Sequence, residues 1–113
     1  LIGDTEMILT AAEMRNPVVV CDLGNKILDR FYRIYDVLEF PGLPPEQEEV
    51  FEMARNYTIT MMVQAGTVQP EVIEWCLRCI VRCVKAAKAF LFGAAGVEEV
   101  LVLLDEVEAL ATY

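Results

Sequence analysis

Cys76, Cys79 and Cys83 are the side chains whose type and spacing come nearest to a chemical site. At i, i+3 and i+7 they share one helical face, and Cys21 is available as a fourth ligand. Thiolates suit zinc or an iron–sulfur cluster. Helix geometry opposes that use, because cysteines two turns apart on a straight helix stand about 10 Å from each other. A four-sulfur zinc site needs every sulfur about 2.3 Å from one ion. The spacing therefore predicts small apolar packing on a buried helix. Metal or cluster binding by Cys76, Cys79, Cys83 and Cys21 is the alternative, and a redox thiol or disulfide the third.

Carboxylates form the second group. Glu46, Glu48, Glu49 and Glu52 make an acidic patch, with Glu48 and Glu52 one turn apart. Hard divalent cations take oxygen ligands, so a small Mg²⁺-dependent enzyme acting through Glu48, Glu49 and Glu52 on a phosphorylated substrate is a second alternative. A helical nucleotide pyrophosphatase needs acidic clusters on two facing helices. The second cluster would have to come from Asp22, Asp29 and Asp36, which recur every seven residues. Lys26 and Arg33 stand four residues after Asp22 and Asp29, so surface ion pairs are the simpler expectation. The glutamates, for their part, suit a solvated helix start.

Histidine is absent. That removes the commonest general base and metal ligand, along with Ser-His and Cys-His nucleophiles. No phosphate-binding Gly-x-x-x-x-Gly-Lys loop and no Gly-x-Gly-x-x-Gly fingerprint occurs. The run Val18-Val-Val-Cys-Asp-Leu-Gly24 resembles the strand and Asp-x-Gly phosphate motif of actin-like ATPases over seven residues. The chain lacks room for that fold's two lobes, so no function follows from it. Asn56-Tyr57-Thr58 matches a glycosylation sequon, without consequence where no export signal is seen. Trp75, Tyr32, Tyr35 and Tyr57 are expected to pack in the core or at an interface. No catalytic residue, metal ligand or cofactor is assigned, and the balance leans away from an enzyme.

The elements that would position these groups are marked by clear punctuation. Asn16-Pro17, the stretch from Phe40 to Pro45, Gly66 with Pro70, and Gly93 with Gly96 divide the 113 residues into five segments. The first, about Asp4 to Arg15, places Met7, Ala11 and Met14 on one face. Ile27, Phe31, Ile34 and Leu38 form a helical stripe in the second. Its start is open: Pro17 opens the helix, or residues 17–21 form a short strand with a turn at Gly24. The third runs from Pro44-Pro45 through Ala65 and is closed by Gly66, with Val50, Ala54, Tyr57 and Met61 as its stripe. The fourth, from Pro70 to Phe92, is apolar nearly all round, which predicts a place in the middle of a bundle or across an oligomer interface. In the fifth, Val97, Val100, Leu101, Leu104, Val107 and Ala111 face inward. The pattern predicts an all-α fold, one domain over residues 1–113, with four longer helices and a short N-terminal one.

The apolar fraction of 56% and mean hydropathy of +0.41 are high for a small domain, and the formal net charge is −9. An apolar excess on a small globule is exposed or covered by another chain. Negative charge disfavours nucleic acid and anionic membranes. No span is expected from 72–92, which carries Arg78, Arg82, Lys85 and Lys88. With no visible export signal, the expected location is the cytoplasm. Residues 70–92 hold four bases and two acids, whereas 93–113 hold five acids and no base. If the two helices are antiparallel neighbours, the acids neutralise the bases and leave a poor nucleic-acid site. The leading expectation is a non-catalytic, self-associating interaction module. It would meet a second copy or another protein through an apolar helix face, with the fourth segment central.

Overall fold

Asn16 decides how the second segment folds. In the computed structural model, which describes residues 11–38, 43–67 and 69–112, its Oδ1 accepts hydrogen bonds from the backbone N–H groups of Val18 (3.0 Å) and Val19 (3.5 Å). Those are two of the donors a helix start leaves unpaired. Pro17, which has no N–H to lose and the φ a helix needs, takes the first helical position. The strand over residues 17–21 is therefore not formed. The β-branched cost of Val18 to Val20 is a few tenths of a kcal/mol each, roughly, and burying Val20 completely offsets it. Gly24 is not a turn either. It lies buried in mid-helix, where a Cβ would overlap Cγ and Sδ of Met62, so the missing side chain permits a close helix–helix approach.

Five helices and no strand occur among the described residues: α1 (Ala11–Met14), α2 (Pro17–Leu38), α3 (Pro45–Gln64), α4 (Pro70–Leu91) and α5 (Glu98–Ala111). The rest of the first predicted segment, including Met7, lies outside the described residues; Met14 is buried. None of these helices is long and apolar enough to cross a membrane.

The long helices form a closed square. α2 packs on α3 and α5, α4 packs on the same two, and α1 lies against α2 and α4. Among the described residues neither diagonal pair comes into backbone contact. Short connections make neighbours antiparallel, and the cross-contacts agree. Tyr35 and Cys21 of α2 meet Phe51 and Met62 of α3, in reversed order along the chain. The core is the inner stripe of each helix: Ile27, Phe31 and Ile34 from α2, Phe51, Ala54 and Met61 from α3, Ile73, Leu77 and Ile80 from α4, and Val100, Leu104 and Val107 from α5. Among the described residues Thr58 is the buried polar residue of this core, and its hydroxyl donates to the Ala54 carbonyl at 2.8 Å.

Gly66 ends α3 at φ +84°, a conformation side-chain-bearing residues avoid. A Cβ there would also stand 2.6 Å from Cγ of Pro17. Gly66→Ala is expected to lower stability by about 1–2 kcal/mol. Urea unfolding followed by far-UV circular dichroism measures this; a neutral result means the α3 terminus and Pro17 are not in contact.

Candidate interaction surface

The three clustered cysteines point inward. Cys76, Cys79 and Cys83 are all buried, with their sulfurs free. Burial pushes the thiols of Cys76 and Cys83 above their ordinary range, the neighbouring Cys79 adding to it. A thiol held protonated is a poor metal ligand and a poor nucleophile. Cys79 in turn pushes the phenol of Tyr57 upward. Cys21 is not brought to this trio: it is half-buried at the α2–α3 seam, with Sγ 3.6 Å from the Met62 carbonyl. Among the described residues no group of three or more His, Cys, Asp or Glu side chains is placed to hold a metal ion. Small sulfur side chains instead fill the packing of α4 against its neighbours.

The carboxylates remain on the surface. Glu46, Glu49 and Glu52 are exposed and Glu48 half-buried, and Glu52 pairs with Arg55 at 3.1 Å. Asp22 pairs with Lys26 at 3.2 Å and Asp29 with Arg33 at 3.1 Å, as their spacing predicts. Asp36 is exposed as well. A hollow of about 660 Å³ opens at the end of the bundle between Arg15, Gly66, Thr67, Gln69 and Val72. Arg15 is the one ionisable side chain among these lining residues.

α4 is not the helix that is apolar all round. Its cysteines, Ile73, Leu77, Ile80, Val84 and Ala87 turn inward, while Glu71, Arg78, Arg82 and Lys85 form a charged outer face. It occupies one corner of the square rather than its middle. The expectation that α5 neutralises the basic stripe holds for one residue. Lys88 Nζ meets Asp105 at 2.6 Å and Glu108 at 2.9 Å. Those two carboxylates accept its hydrogen bonds and raise its pKa. Arg78 pairs with Glu74 of its own helix at 3.4 Å. Among the described residues Arg82 and Lys85 have no carboxylate within 4.0 Å.

The helix whose apolar side chains reach all sides is α3. Phe51, Ala54, Thr58 and Met61 face the core, yet Met53, Ile59 and Val63 are exposed on its outside, Val63 at 73%. Beside its C-terminal half runs the start of α2, where Pro17, Val18, Cys21, Asp22 and Asn25 line a shallow hollow. Val18 is 76% exposed. The contacts of Pro17 with Gly66, Cys21 with Met62 and Gly24 with Met62 hold these two stretches side by side. The surface of α3 here is uncharged: residues 56–70 are fifteen consecutive positions without an ionisable Asp, Glu, Lys or Arg, in a chain where such residues make up 24%. That run was the signal in the sequence for this surface. Its alternation of Tyr57, Ile59, Met61 and Val63 with polar residues imitates a strand and hides it.

No protein-family model, curated protein or solved structure matches this chain.

Proposed function

We propose that this chain is a non-catalytic helical interaction module that self-associates, a second copy docking on the α2–α3 face. The observation that carries the reading is the exposed, uncharged apolar strip of Val18, Ile59 and Val63. Interface centres are depleted in charge and bury apolar side chains. A net charge of −9 makes two copies repel unless they meet where neither carries charge. Residues 56–70 provide that place, and a two-fold contact sets the same patch on itself. The absence of histidine and the pairing of surface acids with neighbouring bases support a module without catalysis.

Sedimentation velocity in about 0.5 M salt, where exposed ion pairs are largely screened, tests the reading. The native chain is expected to dimerise and Val63→Glu to be monomeric. At a concentration low enough for both chains to be monomeric, the melting temperature of Val63→Glu should stay nearly that of the native chain, since exposed substitutions shift stability by about 0.5 kcal/mol or less. A native chain that stays monomeric up to about 1 mM, or a dimer that survives Val63→Glu, overturns it.

A further inference from the structure

We infer that the outer face of α4, from Trp75 to Lys85, docks a short acidic segment of another protein. Carboxylates of that segment meet Arg82 and Lys85, and one of its apolar side chains meets the ring of Trp75. This surface goes beyond the self-association contact and shares no residue with the strip of Val18, Ile59 and Val63. α4 lies diagonally across the square from α2.

Arg78, Arg82 and Lys85 follow one another at i, i+4 and i+7, a stripe about 10 Å long. They line an open groove of about 380 Å³ with Val81, and Ala111 and Thr112 border it at the C-terminal end of α5. Among the described lining residues Glu108 is the acid, and Lys88 holds it at 2.9 Å. Six of the chain's nine bases are ion-paired among the described residues. Arg82 and Lys85 stand out as adjacent cations that are not. Like charges at this spacing repel along a helix, and a carboxylate brought between them relieves that repulsion. The end of α5 supplies about half a negative charge through its dipole, too little for two cations. Trp75 stands three residues before Arg78, a neighbour on the helix surface. It is 52% exposed, yet its ring is held edge-to-face by Tyr57 of α3 at 5.3 Å. Trp, Tyr and Arg are the side chains that most often carry binding energy at protein interfaces, and a ring already held in place has less freedom to lose.

The shortness of the stripe selects the occupant. Glu71, exposed one turn before Trp75, ends the positive surface on that side, and the chain as a whole carries −9. A nucleic acid is charged along its entire length and would run from the cations onto acidic surface. An acidic segment of about two to three turns sets its carboxylates on the stripe alone. Salt screens charges lying more than about 8 Å away, so the groove acts on such a segment locally. The groove is open, so a small anion would keep most of its surface in water, unlike a ligand in an enclosing pocket. A longer segment also reaches Trp75, and Val81 and Ala111 receive its apolar edge.

The probe is a dye-labelled, helix-forming peptide of about twelve residues, with Glu at successive turns, Leu one turn before the first of them, and no Trp. At about 0.05 M salt, where surface charges act over longer distances, fluorescence anisotropy is expected to show binding with Kd below about 1 mM. The emission of Trp75, the chain's single tryptophan, should shift with the same midpoint. Replacing each Glu of the peptide by Gln should weaken binding about tenfold, and so should Arg82→Glu with Lys85→Glu in the chain. Lys26→Glu with Arg33→Glu changes the net charge equally, but on α2, and should leave Kd within about twofold. Arg82→Gln with Lys85→Gln is the milder pair, and circular dichroism checks the fold of every variant. No binding up to about 1 mM, a Trp75 emission that does not move, or an equal loss in the α2 variant overturns the inference. Tighter binding of an oligothymidylate of equal charge also overturns it, by making the surface a nucleic-acid site. So does self-association without peptide that Arg82→Glu with Lys85→Glu abolishes, by making it a contact between copies. Failure of the α2–α3 reading shows separately, in the native chain at high salt without peptide.

Discussion

Phe51→Ala is expected to remove about 3–5 kcal/mol of stability, the range for emptying a buried aromatic site. Phe51 is 1% exposed and sits at the centre of an edge-to-face ladder that crosses three helices. Its ring centroid lies 6.4 Å from Tyr35 of α2 and 5.9 Å from Phe90 of α4, and Tyr35 continues the ladder to Tyr32 at 6.2 Å. Such pairs add about 0.5–1.5 kcal/mol each beyond area burial. Truncation at Phe51 leaves a cavity and strips two rings of a partner at once. Domains of this size have roughly 5–15 kcal/mol in total, so the variant should melt at least about 10 °C lower. Phe51→Leu, which keeps most of the buried area, should fall between. Thermal and urea unfolding measure both; a loss under about 1 kcal/mol means that α3 is not seated in this register.

Alkali is expected to unfold the protein progressively from about pH 9. Among the described residues, five groups are displaced upward from their ordinary values: Cys76 and Cys83 from 9.0, Tyr35 from 10.0 to about 12, Tyr57 from 10.0 and Lys88 from 10.5. Burial raises the two thiols and Tyr35, Cys79 raises Tyr57, and hydrogen bonds to Asp105 and Glu108 raise Lys88. In every case the folded chain holds the proton more tightly than the unfolded chain. Above pH 9 the unfolded state therefore loses protons first, binds fewer of them, and stability falls with pH. The contribution is complete below the ordinary values and gone once pH passes the folded ones, which for Tyr35 means about 12. A two-unit shift is worth about 2.7 kcal/mol in full. Tyr35 is half-buried, so solvent screening reduces its share to about 1 kcal/mol. The urea midpoint should fall steadily from about pH 9 to about pH 12. Tyr35→Phe, which also gives up the 3.4 Å hydrogen bond to the Phe51 carbonyl, should fall less steeply from a lower start. A midpoint flat across that range, or an unaltered slope in the variant, contradicts the assignment.

Local features of the sequence determined where helices begin and end. Asn16-Pro17, Pro44-Pro45, Pro70 and Gly66 act on the backbone groups within one turn of themselves, so they are legible without any neighbour. The stripes of Ile27, Phe31 and Ile34, and of Val97, Val100, Leu104, Val107 and Ala111, are legible for the same reason: 3.6-residue periodicity is a property of one helix. The pairs Asp22–Lys26 and Asp29–Arg33 likewise need only a helix. One choice between local alternatives drew on more. Val18-Val19-Val20 suits a strand by propensity; the Asn16 cap and Pro17 start a helix there, and burial of Val20 against the other helices adds to the choice.

Tertiary structure alone decided which faces are left over. Composition marks residues 70–92 as the most apolar segment, but composition does not state how apolar side chains divide between two neighbours and solvent. Packed between α3 and α5, α4 turns its cysteines inward and keeps a charged outer face. α3 must serve the core, α2 and α4 with a shorter inner stripe, and Ile59 and Val63 fall outside it. Phe51 and Phe90 meet across 39 residues of sequence, and Lys88 reaches Asp105 and Glu108 while Arg82 and Lys85 meet no carboxylate among the described residues. Local signals extend about one helical turn, whereas the azimuth of a helix and the charges left unmatched on it are set by its partners in space.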